Sequence, residues 1–356
     1  MKKKVSLILA LILALSLALS ACSSSSSDND ADETTTEAAA ETTAADGETS
    51  DGTESSSLTP KDGGSSLTFT TGGETGTYYA FGNVIANKIG DLTSTTITAI
   101  SSGGSAANIQ ALEDGDAQFG FVQSDVMSYA YNGERTFEES GAVTSFSVVA
   151  SLYLEQVQII TVDPDIQTVA DLEGKKVSIG ASGSGVYYNA VDILAAYGLD
   201  ADTDIIPTYQ SFSDSAEALK DGQIDAAFVV AGAPTTAVTD LAASRDVYLV
   251  SLDEEHIATL IEDNPFYTAD TIAADVYGTD EDVTTVAISA VVIARDDVSN
   301  EDVYNFLYGT FEDIANLSHA KAEELDLDFA SSITSVGYHP GAVEYFADKG
   351  ITVSAK

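Results

Sequence analysis

A register written twice constrains this chain more than any other feature. Gly76-Thr77-Tyr78-Tyr79 follows a short apolar run and a glycine-rich turn, and it opens a helical pattern. Gly185-Val186-Tyr187-Tyr188 does the same further on. Gly115 lies 39 residues after Gly76, and Gly222 lies 37 residues after Gly185. Phe121-Val122 then begins six residues past Gly115, and Phe228-Val229 six past Gly222. Convergence of β-α-β strings accounts for one shared turn but not for a register kept this long. The chain is therefore expected to fold as two α/β lobes built to one pattern.

Within each half, short β-type runs alternate with helical periodicity, which argues a parallel sheet with helices on both faces. In the first half Leu67 to Thr71 reads as a strand, and a helix follows with Phe81, Val84, Ile85 and Ile89 at helical spacing. Thr95 to Ser101 is β-rich, Ala106 to Leu112 a helix, and Ala117 to Val122 a buried strand. In the second half Val177 to Gly180 and Ala226 to Val230 read as strands, and Val186 to Tyr197 and Ser213 to Leu219 as helices. Ser147 to Val162 is too long for one ordinary strand and is expected to run from lobe one into lobe two. Thr284 to Ala294 is expected to cross back, and helices over Ser299 to Asn316 and Pro340 to Lys349 to pack on lobe one. Lobe one is then 67–157 and 291–356, and lobe two 158–290, with a ligand cleft beyond the carboxyl ends of the strands.

The N-terminus reads as an export signal over 1–21: Lys2, Lys3 and Lys4 precede an apolar run from Val5 to Leu19. Leu19-Ser20-Ala21-Cys22 resembles a bacterial lipobox, so Cys22 is expected to carry lipid and to anchor the protein on the extracytoplasmic face of the cell membrane. Cys22 is the only cysteine, which leaves no disulfide within the chain and no thiolate metal site. Residues 22–66 are Ser, Thr, Ala, Gly and acid with almost nothing to bury, and are expected to form a disordered, extended tether. The formal net charge of −43 disfavours nucleic acid and anionic membrane surfaces as partners.

Both glycine turns offer backbone N–H groups at a helix N-terminus, with hydroxyls from Thr75, Thr77, Ser182 and Ser184. Such a turn holds a carboxylate without a cation, which suits a chain with three arginines. Neither turn has the lysine of a phosphate-binding loop or the spacing of a dinucleotide site. Ligand contacts are expected from Thr77, Tyr78, Gly104, Ser105, Gln123, Ser182, Ser184, Gly185, Tyr187, Ala233 and Pro234. Gln123 follows a strand and offers donors and an acceptor; Tyr78 and Tyr187 are the rings expected to wall the cleft. No catalytic residue, metal or cofactor is expected. Ser182 misses the final glycine of a nucleophile elbow, and His256, His319 and His339 are scattered. A serine hydrolase is a distant alternative.

The ordered set Thr71-Gly72-Gly73-x-x-Gly76-Thr77-Tyr78-Tyr79, Ser102-Gly103-Gly104-Ser105, Phe121-Val122-Gln123-Ser124-Asp125, Ala150-Ser151-Leu152-Tyr153 and Asp171-Leu172-x-Gly174-Lys175 resembles the TAXI family, the solute receptors of TRAP transporters. Gly183-Ser184-Gly185, Phe228 to Pro234 and His339-Pro340-Gly341-Ala342 extend the resemblance over nearly all of Leu67 to Ile351. It implies a type II periplasmic-binding-protein fold that closes on a small carboxylate, such as glutamate or a related organic acid. It also implies delivery to a TRAP permease driven by an ion gradient. The lipobox and long tether depart from the many relatives with a cleavable signal. The same fold serving a sensor kinase or an ATP-driven importer is the alternative.

Overall fold

The computed structural model describes residues 58–356, so the signal segment, Cys22 and most of the tether lie outside the described residues. In chain order β1 (Ser66–Thr70), α1 (Thr77–Leu92), β2 (Thr96–Ile100), α2 (Ser105–Glu113), β3 (Phe119–Gln123) and α3 (Ser124–Asn132) begin lobe one. A single long strand, β4 (Phe146–Thr161), leaves it. Lobe two then takes β5 (Lys176–Ser178), α4 (Val186–Ala196), β6 (Ile206–Thr208), α5 (Phe212–Lys220) and β7 (Ala226–Ala231). It continues through α6 (Thr236–Ala242), β8 (Tyr248–Leu249), α7 (Glu254–Asp263), β9 (Thr268–Ile272) and α8 (Ala274–Tyr277). The second long strand, β10 (Val283–Arg295), returns, and α9 (Asn300–Phe311), α10 (Leu327–Ala330) and α11 (Pro340–Asp348) complete lobe one.

The written repeat is a topological one. In lobe one β1 pairs in parallel with β2 and β3; in lobe two β5 pairs in parallel with β6 and β7. The third strand of each trio meets a crossing strand antiparallel: β3 on β10, and β7 on β4. The path across the sheet is β2-β1-β3-β10-β4-β7-β5-β6, so the two crossing strands form its centre. Nearly every residue of β4 is buried, which is why the strand reads as a continuous apolar run and not as an alternating one.

Each lobe has its own core. Phe69 lies 4.9 Å from Phe121 and 5.5 Å from Phe306, whose ring stacks on Phe119 at 4.8 Å. Val303 and Phe306 of α9 and Ala342 and Phe346 of α11 join this cluster, as their predicted packing on lobe one requires. The α9 helix stops at Phe311, short of the predicted Asn316, and a separate 3-10 turn covers Ile314–Asn316. In lobe two one cluster gathers Val177, Ile193 and Phe228, and another Leu219, Val229 and Val238.

One boundary is corrected. The tether was expected to run to residue 66, yet Leu58 to Ser65 pack on lobe one. The Leu58 carbonyl accepts from Tyr308 Oη, and Lys61 N donates to Asn305 Oδ1 at 2.8 Å. Lys61 Nζ pairs with Glu344 and lies 4.3 Å from the Tyr304 ring centroid. A single leucine and a lysine stem supply the contact area that the rest of the segment lacks.

Candidate functional site

The starts of α1, α2, α4 and α5 meet around one cavity of about 150 Å³ between the lobes. Lobe one contributes Gly72, Gly73, Gly76 to Tyr78, Ser102 to Ser105, Gln123 and Glu155; lobe two contributes Ala181, Ser184 to Val186, Gln210 to Phe212, and Val230 with Ala231. Among the described residues, no Lys, Arg or His lines it. The amides of Thr77, Tyr78 and Tyr79 at α1, and of Gly185, Val186 and Tyr187 at α4, have no acceptor among the described residues. Two helix N-termini of opposite lobes thus bring donors and positive dipole ends to the same space.

The lobes are drawn together around it. Thr77 Oγ1 donates to the Gly232 carbonyl at 2.8 Å, and Ala237 N to the Thr75 carbonyl at 3.2 Å. The Gly183 carbonyl accepts from both Ala106 N and Ala107 N, at 3.1 and 3.2 Å. The second and third amides of α2 are therefore spent on the other lobe, which sets the third glycine turn apart from the first two. Gly104 makes that approach possible: its φ is +106°, and a Cβ there would stand 3.2 Å from Ser184 Cα.

Behind the cavity runs a polar seam. Gln123 Nε2 donates to Asn189 Oδ1 at 3.0 Å, and Asn189 Nδ2 donates to Tyr267 Oη at 2.8 Å and Asp125 Oδ2 at 3.2 Å. Arg135 and Asp192 close its outer end with a 2.8 Å ion pair. Burial pushes the Asp125 carboxyl up to about 7, against the pull of the Val126 amide. Because both donors of Asn189 are engaged, its oxygen faces Gln123. Gln123 must then answer with Nε2, and its own Oε1 is left without a partner although the residue is only 2% exposed.

Glu155 is the residue the sequence reading missed. It stands in β4, 2% exposed, with Oε2 accepting from Tyr78 Oη at 2.6 Å. Burial raises its carboxyl to about 8; the Tyr78 bond pulls the other way, Asp125 adds to the rise, and Lys321 opposes it weakly. Lys321 itself is paired with Glu324. The available signal was one acid inside a long apolar run, where an unpaired charge is expensive to bury.

Of the predicted contacts, Thr77, Tyr78, Gly104, Ser105, Gln123, Ser184 and Gly185 line the cavity together. Tyr78 does so at its edge, since its ring stacks on Phe121 at 4.6 Å. Four do not. Ser182 is exposed on the outside of its turn. Tyr187 turns away from the cavity into a surface concavity with Arg135, Thr136, Tyr188 and Val191, and it is Tyr188 that packs inward against Tyr129. Ala233 and Pro234 lie outside the lining, with Ala233 N tied to Gln156 Oε1 at 3.1 Å; Val230 and Ala231 are the residues of this stretch that line the cavity. His319 stacks on Phe81, His256 on Tyr197, and His339 caps α11.

The model of the NMT1-like family matches residues 69–350. A solved structure titled "Structure of a periplasmic transporter" is similar at a TM-score of 0.50 and 13% identity, over 80% of this chain and 94% of that one. The periplasmic aliphatic sulphonate binding protein SsuA from Escherichia coli is similar at 0.42 and 18%, over 72% of each chain. SsuA from Xanthomonas axonopodis pv. citri, bound to MOPS, is similar at 0.44 and 15%, over 80% of this chain and 83% of that one. Identities this low speak to fold alone. The fold is the expected two-lobe α/β arrangement of the periplasmic-binding type, with two strands crossing between the lobes.

Proposed function

This chain belongs to the NMT1-like family, and on that premise we propose that it is an extracytoplasmic solute receptor which closes on a small carboxylate. One observation carries the reading: donors at the α1 and α4 N-termini, one helix from each lobe, line a single interlobe cavity with no protein acceptor for their amides among the described residues. A carboxylate bound there would satisfy both ends at once and so favour the closed form over the open one. Its negative charge needs no side-chain cation, which reconciles anion binding with a strongly acidic chain.

The finer reading is a TAXI-type receptor that hands its solute to a TRAP permease while lipid at Cys22 holds it at the membrane. The motifs quoted above support it. Uptake that follows an ion gradient in a reconstituted system agrees with that partner; uptake that needs ATP hydrolysis assigns the receptor to an importer of the other class.

A thermal-shift screen of amino acids, keto acids, dicarboxylates and neutral sugars tests the receptor reading. A ligand at about 100 times its Kd stabilises by roughly 2.7 kcal/mol, a shift of several degrees. A small carboxylate class should raise the midpoint, and Gln123→Ala should remove the shift. Neutral sugars alone raising it, or no shift at all, contradicts the reading.

A further inference from the structure

Two side-chain oxygens beside the cavity have no donor among the described residues. Gln123 Oε1 is one, held in place by the Asn189 network. Glu155 Oε1 is the other: the single side-chain bond to this carboxyl among the described residues, from Tyr78, goes to Oε2. Both project from one face of the sheet. Ala290 of β10 stands between Gln123 and Tyr153 in register, and Glu155 follows Tyr153 by one full pleat. Glu155 makes no ion pair among the described residues, because Lys321 is turned to Glu324. The cavity therefore has donors at its helix starts and the free oxygen of a carboxyl on its sheet side.

We propose that Glu155 is the specificity-determining residue of this cavity, selecting a ligand that carries a protonated amine beside its carboxylate. This rests on the receptor reading above. The ligand's carboxylate takes helix amides, and its ammonium donates to Glu155 Oε1. Glu155 stays protonated below about pH 8, so the ammonium meets a carboxylate where that proton has left; a charged donor on a carboxylate then makes the stronger kind of hydrogen bond. A hydroxyl or keto group on the same skeleton is left against an acid with a weaker donor or none. Where Glu155 is ionised, above about pH 8, a dicarboxylate is turned away more firmly, since its second carboxylate meets Glu155 in a cavity that no cation among the described residues lines.

Titration calorimetry on the purified protein at about pH 8.5, where Glu155 is ionised, decides it with matched pairs: alanine against lactate, serine against glycerate, glutamate against 2-hydroxyglutarate, with succinate as the dianion. In at least one pair the amino acid should bind at least ~10-fold tighter than its hydroxy acid, and succinate should bind weaker still. Glu155→Gln keeps the bond to Tyr78 and should bring the pair to within about threefold. If hydroxy acids or succinate bind wild type as tightly as the amino acid, the selection by Glu155 is wrong and the receptor reading stands. A gap that persists unchanged in Glu155→Gln overturns the role of Glu155 as well. If no member of the panel binds, the receptor reading falls and takes this inference with it. Should the variant fail to fold, the wild-type gap alone decides.

Discussion

Gly185 and Glu155 carry the residue-scale argument. A Cβ at Gly185 would overlap Gln123 Oε1 and crowd Val126, both on the opposite lobe. The site therefore needs a glycine for close approach and not for its backbone angle. Gly185→Ala should leave each lobe folded but hold them apart, at a cost of about 1–3 kcal/mol to closure. Calorimetry should show the affinity falling by roughly 5- to 150-fold with little change in melting midpoint; unchanged affinity contradicts the interlobe fit. Glu155 makes a second prediction through its raised carboxyl, held up to about 8. The folded protein keeps this proton where the unfolded chain has released it. The stability it contributes is thus full below the ordinary carboxyl range and is lost as pH rises through about 8. Glu155→Gln does not titrate, so the midpoint difference between variant and wild type should move in the variant's favour from about pH 5 to about pH 8.5. Asp125 titrates in both proteins, so only its coupling to Glu155 enters that difference. A difference that stays constant across this range contradicts the burial of an ionisable Glu155.

Helix starts do the work at the scale of elements. The α1 start donates a side-chain bond to the loop after β7, the α2 start takes the Gly183 carbonyl, and the α4 start faces the cavity. Thr77→Val keeps the shape of α1 and removes one of these links, which is worth about 0.5–1.5 kcal/mol. Ligand affinity should fall by about 2- to 13-fold while the midpoint without ligand barely moves; a large loss of stability would mean that Thr77 serves its own lobe instead. Most of this scale was legible in the sequence. The repeated register predicted both parallel trios, and the length of 147–162 predicted a crossing strand. What could not be read was direction. Tyr187 and Tyr188 are adjacent on a helix, and periodicity alone does not say which ring faces in; the packing of Tyr188 on Tyr129 settles it. Glu155 was hidden for a related reason. Its direction depends on the pairing of β4 with β10, a partner far away in the chain. Leu58 to Ser65 looked like tether because composition records what a segment lacks, whereas docking needed only one leucine and one lysine.

At the scale of the whole molecule, the chain is two copies of one α/β plan joined by two strands at the centre of a continuous sheet. Neither lobe alone completes the cavity, so binding and closure are one event. A formal charge of −43 would oppose bringing the lobes together if the acids crowded the seam. Among the described residues the cavity is instead lined by one acid, Glu155, and the seam pairs Asp192 with Arg135 and bonds Asp125 to Asn189. Closure on a small carboxylate is the central claim, and the distance between the lobes tests it most directly. Spin labels at Asp91→Cys on lobe one and Asp221→Cys on lobe two, with Cys22→Ser, report that distance by pulsed electron resonance. With the carboxylate found in the screen, a broad distribution should collapse to one narrow, shifted population, and Gly185→Ala should stay broad. Saturating ligand that leaves the wild-type distribution unchanged would contradict a receptor that works by closing.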